Sequence, residues 1–290
     1  MHKSVLRKQV LEYLSPKPNE NFIDGTIGEA GHSLDLLEKN KPGGKVLGIE
    51  LDKEIYNDLL IKNIKRLVVI NDSYLNLKNI VEEKKFKPVS GILFDLGFSS
   101  WHLEKSGRGF SFQRNEPLDM RYNTELNKLT AQEIVNNWTE KEIEKILKKY
   151  SQEKFAKRIS KRIIGQRKLK PIKTTFELVE IIKRSVPSWY QHKRIHFATR
   201  TFQALRIAVN DELNNLKEVL PQALEVLEKG GRIVVISFHS SEDRIVKNFF
   251  KEHSKKLLEI LTKKPIRPNK QEIINNPRSR SAKLRAAIKI

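Results

Sequence analysis

Four short apolar runs, separated by stretches with amphipathic-helix spacing, fill the first hundred residues. Asn21-Phe-Ile-Asp24, Lys45-Val-Leu-Gly-Ile-Glu50, Leu67-Val-Val-Ile70 and Gly91-Ile-Leu-Phe-Asp-Leu96 read as strands, and 31–39, 54–64 and 75–85 read as helices. Such alternation predicts a parallel, doubly wound α/β sheet. From 104 to 195 the strand pattern is lost. Capping boxes at Thr130…Glu133, Thr139…Glu142 and Thr174…Glu177 mark helix starts instead. Phe202, Leu205, Val209, Leu213, Leu216 and Leu220 line one face of a single long helix. Arg232-Ile-Val-Val-Ile-Ser-Phe238 reads as a further buried strand, and the Pro- and Asn-containing tail from 265 as irregular. The expected organisation is a first α/β part over 1–103, a helical insert over 104–195 and a second α/β part with a basic tail over 196–290.

Charge sharpens this division. The chain has 290 residues and a net charge of +21. Residues 145–173 hold +11 of it and 255–290 another +9, while 1–144 carry −1. Two nearly acid-free runs on an otherwise neutral protein favour a polyanionic partner, whose phosphates would supply affinity without sequence choice. The absence of cysteine excludes disulfides, thiolate zinc sites, iron–sulfur clusters and cysteine nucleophiles. His192 and His196 are the only histidines four apart and lack a third ligand, so no metal is expected. Without an apolar leader or a run of 18–20 apolar residues, the expectation is a soluble cytoplasmic protein that meets no membrane.

Candidate chemistry gathers at the predicted strand ends. Asp24, Gly25, Gly28 and Gly31 follow the first strand in a G-x-x-G-x-x-G turn. The dinucleotide fingerprint is G-x-G-x-x-G, and an acid in front of the turn would repel a pyrophosphate but suit a methionyl ammonium. S-adenosylmethionine is thus a better ligand than NAD, although a plain tight β–α turn would look the same. Glu50 ends the second strand, where a carboxylate can accept both ribose hydroxyls. Asn71 to Tyr74, after the third, offer an adenine a polar edge and an apolar face. Asp95, Phe98, Ser99 and Trp101 follow the fourth. Strand ends of an open α/β sheet share one crevice, yet each acid could equally be a helix cap.

The missing cysteine also bears on the reaction. Methylation at C5 of a pyrimidine commonly passes through a cysteine adduct, which this chain cannot form. An exocyclic amine needs only an acceptor for its N–H and a surface that holds the base. Asp95 can be the acceptor; Phe98 and Trp101 can either stack on an extruded base or pack in a core. Asp95-Leu-Gly-Phe98 has the acid and aromatic ends of the amino-methyltransferase D/N/S-P-P-Y/F motif without its prolines.

Several strings then resemble one family, the RsmH/MraW-type bacterial ribosomal RNA small-subunit cytosine-N4 methyltransferases. They are Asp24–Ser33, Asp95–Ser100, Arg108–Phe112, Pro117–Arg121, Phe155–Ile159, Ala198–Ile207, Ile236–Ile245 and Asn276–Ser281, in order along nearly the whole chain. The resemblance implies a Rossmann-like S-adenosylmethionine-dependent methyltransferase sheet with a helical insert for RNA recognition. The implied reaction is methylation of N4 of a cytosine at the decoding centre of 16S ribosomal RNA, within the small ribosomal subunit, with a homodimer as one form the enzyme could take. It also implies cofactor contacts at Ala30, Gly31, His32, Glu50, Tyr74, Asp95 and His102, beside Asp24 and Gly25, with Asp95, Phe98 and Ser99 as the catalytic candidates. Three positions depart from the family pattern. Ala30 replaces glycine, a mild change if the backbone angle there is ordinary; Glu50 replaces Asp; His102 replaces Gln. A non-catalytic RNA-binding assembly factor with a vestigial cofactor fold is the competing reading.

Overall fold

In the computed structural model, which describes residues 4–290, the apolar runs become strands because only a sheet covered on both faces can bury them. The strands are β1 (Phe22–Asp24), β2 (Val46–Glu50), β3 (Leu67–Asn71), β4 (Gly91–Asp95), β5 (Arg232–Ser237), β6 (Leu258–Ile260) and β7 (Lys283–Lys289). Their order is β3-β2-β1-β4-β5-β7-β6, with β1 to β5 parallel and β7 antiparallel to both neighbours. Strand order reverses between β1 and β4, which places the switch-point crevice at the carboxyl ends of that pair.

Period-two alternation divides the side chains between two cores. Ile23, Leu47, Ile92, Phe94 and Val235 face one layer, filled by α4 (Leu77–Glu83), α12 (Glu212–Val226) and α13 (Ser240–His253). Phe22, Val46, Leu93, Val234 and Ile236 face the other, filled by α1 (Arg7–Leu14) and α2 (Gly31–Lys39). Helices α3 (Lys53–Lys62) and α14 (Lys270–Asn275) complete this unit.

The chain divides into two compact units, residues 1–97 with 213–290 and residues 98–212. The second is all helical: α5 (Ser100–Glu104), α6 (Ala131–Asn137), α7 (Glu140–Ser151), α8 (Ala156–Leu169), α9 (Thr175–Ser185), α10 (Ser188–Gln191) and α11 (Thr199–Asn210). Thr130, Thr139 and Thr174 each cap a helix there, with reciprocal boxes at Thr139 and Thr174. Its core is built on Ile143, Leu147, Ile159, Ile163, Leu178, Ile182, Phe202 and Leu205.

Three expectations are corrected. The helical unit extends beyond 104–195 at both ends, because α11 buries Phe202, Leu205 and Val209 in the helical core. The single helix expected through 202–220 is two, since Asp211 takes a left-handed conformation (φ 48°) that ends α11. The tail is not irregular: it forms α14, a 3₁₀ turn at Pro277–Ser281 and β7, which enters the sheet between β5 and β6. Nor is its charge all free. Lys283 and Arg285 pair with Asp243 at 3.2 and 2.7 Å, and Lys289 donates to the carbonyls of Leu224 and Leu227.

Candidate active site

At the switch point, the turn after β1 is locked to β4. Gly25 N–H donates to Leu93 O at 2.9 Å, and Asp95 N–H donates to Thr26 Oγ1 at 2.7 Å. A Cβ on Gly25 would stand 2.4 Å from the Phe94 ring, so only glycine permits this approach. Gly28 (φ 50°) then turns its N–H onto Glu50 Oε2 at 3.0 Å. Glu50 Oε1 accepts from Asp52 N–H at 2.8 Å, so this buried acid is oriented by one backbone donor on each oxygen. Burial nevertheless pushes its carboxyl up to about 7. Asp52 is a helix cap, accepting from Glu54 N–H at the start of α3.

Ala30 is the N-cap of α2 and holds φ 68°, ψ 20° while fully buried. The exchange from glycine is therefore not mild: a left-handed alanine costs about 1–2 kcal/mol. Gly31 packs on Ser4, against whose Oγ a Cβ would stand at 2.0 Å. Asp24 is 1% exposed and faces inward, accepting from Ser33 Oγ at 2.7 Å and from Thr26 N–H at 3.3 Å. Burial raises its carboxyl despite these donors.

His32, 5% exposed, sets Nε2 3.5 Å from Asp95 Oδ2. Burial alone would lower the imidazole, but the Asp95 and Asp24 carboxylates outweigh it and raise it. Asp95, with its side chain 18% exposed, keeps Oδ1 without a partner among the described residues. Tyr74 meets Phe94 edge to face with centroids 5.9 Å apart, fixing one aromatic wall beside β4. Composition gave no sign of Thr26, Ser33 or Ser237. Ser237 ends β5 fully buried, with its Oγ unpartnered among the described residues; its position at a strand end was the available signal.

Phe98, Ser99 and His102 belong to the helical unit. Ser99 is the N-cap of α5 and shares a capping box with His102, whose Nδ1 stands 3.0 Å from Ser99 Oγ. His102 lies among Trp101, Phe110 and Tyr122, so its ring is packed as an aromatic would be. Trp101 is 7% exposed and packs in that cluster. Phe98 stacks on Phe110, and Phe110 on Tyr122, with centroids 6.1 and 5.5 Å apart. The Arg206 guanidinium lies 4.5 Å from the centroid of the Phe98 ring. Glu212 grips Arg206 through two hydrogen bonds of 2.8 and 2.9 Å and accepts from Tyr122 Oη at 3.0 Å. Arg206, Phe98, Phe110, Tyr122 and Glu212 thus form a tethered stack. Sequence reading missed the Arg206–Glu212 clamp, although Arg206 lies inside the matched string 198–207.

Doubly wound sheets take adenosine-bearing ligands at this crevice. With carboxylates at the strand ends in place of a phosphate cradle, the class is a Rossmann-like methyltransferase rather than a dehydrogenase. The chain belongs to the MraW methylase family, which it matches over residues 1–290. It is 48% identical to the ribosomal RNA small subunit methyltransferase H of Sulfurihydrogenibium azorense, covering 99% of this chain and 98% of that one. It is 46% identical to the enzyme of the same name from Dictyoglomus thermophilum, over 98% and 95%. Among solved structures it is similar to an rRNA methylase from Streptococcus thermophilus (12% identical, TM-score 0.45, covering 100% and 99%). A Streptococcus mutans protein in complex with SAH is also similar (16% identical, TM-score 0.47, 100% of both chains).

Proposed function

We propose that the protein methylates the N4 amine of a cytosine in 16S ribosomal RNA, at the decoding centre of the small ribosomal subunit, in the cytoplasm. The methyl donor is S-adenosylmethionine. The observation that carries this reading is Asp95, whose carboxylate stands at the switch point with Oδ1 unpartnered among the described residues. The donor set suits a cationic cofactor: Asp24, Glu50 and Asp95 bring three carboxyl groups to adjoining strand ends, Glu50 ionising near pH 7, and Gly25 and Gly28 keep the turn free of side chains.

When bound, the cofactor supplies a methyl group already activated by its sulfonium. Glu50, held by two backbone N–H donors, has lone pairs left for the ribose hydroxyls. Tyr74, fixed edge to face on the buried Phe94, offers an apolar wall for the adenine. Asp95 Oδ1 accepts the N–H of the attacking amine, aligns its lone pair with the methyl carbon and takes the departing proton. His32 Nε2 stands 3.5 Å from Oδ2, on the other oxygen of the same carboxylate. Phe98, held by Phe110 and by the Arg206–Glu212 clamp, is a pre-positioned, partly exposed ring whose edge a base can meet.

Asp95→Asn tests the assignment, since the amide keeps the shape and loses the proton acceptor. The expected outcome is cofactor affinity retained in part and a 10²–10⁴-fold fall in kcat, the usual worth of a positioned acid or base. Unchanged turnover would remove Asp95 from the mechanism.

A further inference from the structure

The helical unit carries an exposed aromatic that the proposed mechanism does not use. Trp189, in α10, is 57% exposed, whereas its neighbour Tyr190 is buried. Tyr190 is the anchor: its hydroxyl donates to the buried carboxylate of Glu153 at 3.0 Å. Phe155 packs on both rings, with centroids 6.0 Å from Trp189 and 4.9 Å from Tyr190. Trp189 is therefore presented from a fixed base. Lys193 Nζ lies 4.6 Å above the Trp189 ring, and the Arg158 guanidinium lies 5.7 Å from Phe155. The chain has no acid from 154 to 173 or from 181 to 210, and the Glu153 carboxylate beneath Tyr190 is buried, so the segments that present the ring carry cations and no exposed acid.

We infer that Trp189 is a stacking platform for one unpaired nucleobase of the RNA substrate, with Lys193 and Arg158 holding the flanking phosphates. The partner follows from charge and shape together. A protein-binding hot spot would pair the tryptophan with further apolar surface; an exposed indole flanked by Lys193 and Arg158 matches the stacking-plus-phosphate pattern of single-stranded nucleic acid. This inference rests on the reading of the protein as an RNA methyltransferase.

The test measures kcat and KM for unmethylated small subunits, with cofactor affinity by calorimetry, for wild type, Trp189→Ala, Trp189→Phe and Lys193→Ala. Stacking contributes about 1–3 kcal/mol per base, so Trp189→Ala should raise KM roughly 5- to 150-fold. Its kcat and cofactor affinity should stay at wild-type values, and it should still melt cooperatively, because the packing lost is confined to Phe155 and Tyr190. Trp189→Phe should recover most of the KM, and Lys193→Ala should flatten the dependence of KM on salt. Wild-type tryptophan fluorescence should be quenched by an unstructured oligoribonucleotide, and the quench should vanish in Trp189→Phe. An unchanged KM in Trp189→Ala, with wild type active, overturns the platform alone. Weakened binding to assembled subunits with full affinity for protein-free RNA would assign the surface to a ribosomal protein and also overturn it. A wild type that transfers no methyl group to small-subunit RNA overturns the underlying reading.

Discussion

Glu50 offers the most quantitative test of the cofactor crevice. Burial shifts its carboxyl from 4.5 to about 7, although Gly28 and Asp52 each donate a backbone N–H to it. The folded protein thus binds a proton at pH 5.5 that the unfolded chain has largely released, and stability falls as pH rises between 4.5 and 7. At 1.36 kcal/mol per pH unit, this group contributes about 3 kcal/mol below pH 4.5 that is gone above pH 7. Asp24 and His32 are also raised, so their contributions decline with rising pH too, but they are common to wild type and Glu50→Gln. The measurement is urea unfolding of both proteins from pH 4.5 to 8. The glutamine cannot ionise, so the stability difference between the two should change by about 3 kcal/mol across this range. The amide nitrogen cannot accept a backbone N–H, so Glu50→Gln also carries a pH-independent loss of about 1–3 kcal/mol. Cofactor binding carries the same signature in reverse. Ribose hydroxyls donate to the anion, so wild-type affinity should rise up to about tenfold per pH unit below 7 and level off above it. In Glu50→Gln, this contribution to the rise should be absent. Identical pH profiles for both proteins would refute the reasoning.

Two further substitutions probe the framework around the site. Gly25→Ala places a methyl group 2.4 Å from the Phe94 ring, so either β4 or the turn must move. It should lower stability by about 1–3 kcal/mol and weaken cofactor affinity by tenfold or more, read by thermal unfolding and calorimetry; wild-type affinity would contradict the close approach. Glu212→Gln weakens the two charge-assisted hydrogen bonds that grip the buried Arg206, a loss of about 1.5–3 kcal/mol. Chemical denaturation should show that loss, with RNA turnover reduced and cofactor affinity kept; a change under 1 kcal/mol would show that the clamp does not hold Phe98.

The sheet was legible because strands buried on both faces leave unbroken apolar runs, as in Gly91–Asp95, all buried but its last residue. β7 was not, because Ala286 and Ala287 have little strand propensity and follow a stretch rich in Pro, Asn and Arg. The break at Asp211 was hidden because α11 and α12 continue each other's apolar periodicity, and only the backbone angle separates them. The acidic strand ends were visible because crevices lie at the carboxyl ends of parallel strands. Their individual roles depend on partners far away in the chain: Gly28 on Glu50, Ser33 on Asp24, His32 on Asp95. Ala30 shows the same limit, since nothing in its sequence context fixes a left-handed angle. Charge counting likewise overstated the tail, where β7 spends Lys283 and Arg285 on Asp243.

The central claim is transfer of a methyl group to an exocyclic amine. Its most direct test is incubation of the protein with unmethylated small ribosomal subunits and isotopically labelled S-adenosylmethionine, followed by nucleoside mass spectrometry. The account predicts label in N4-methylcytidine, absent when Asp95→Asn replaces wild type. Label in 5-methylcytidine, or none in the RNA, would contradict it.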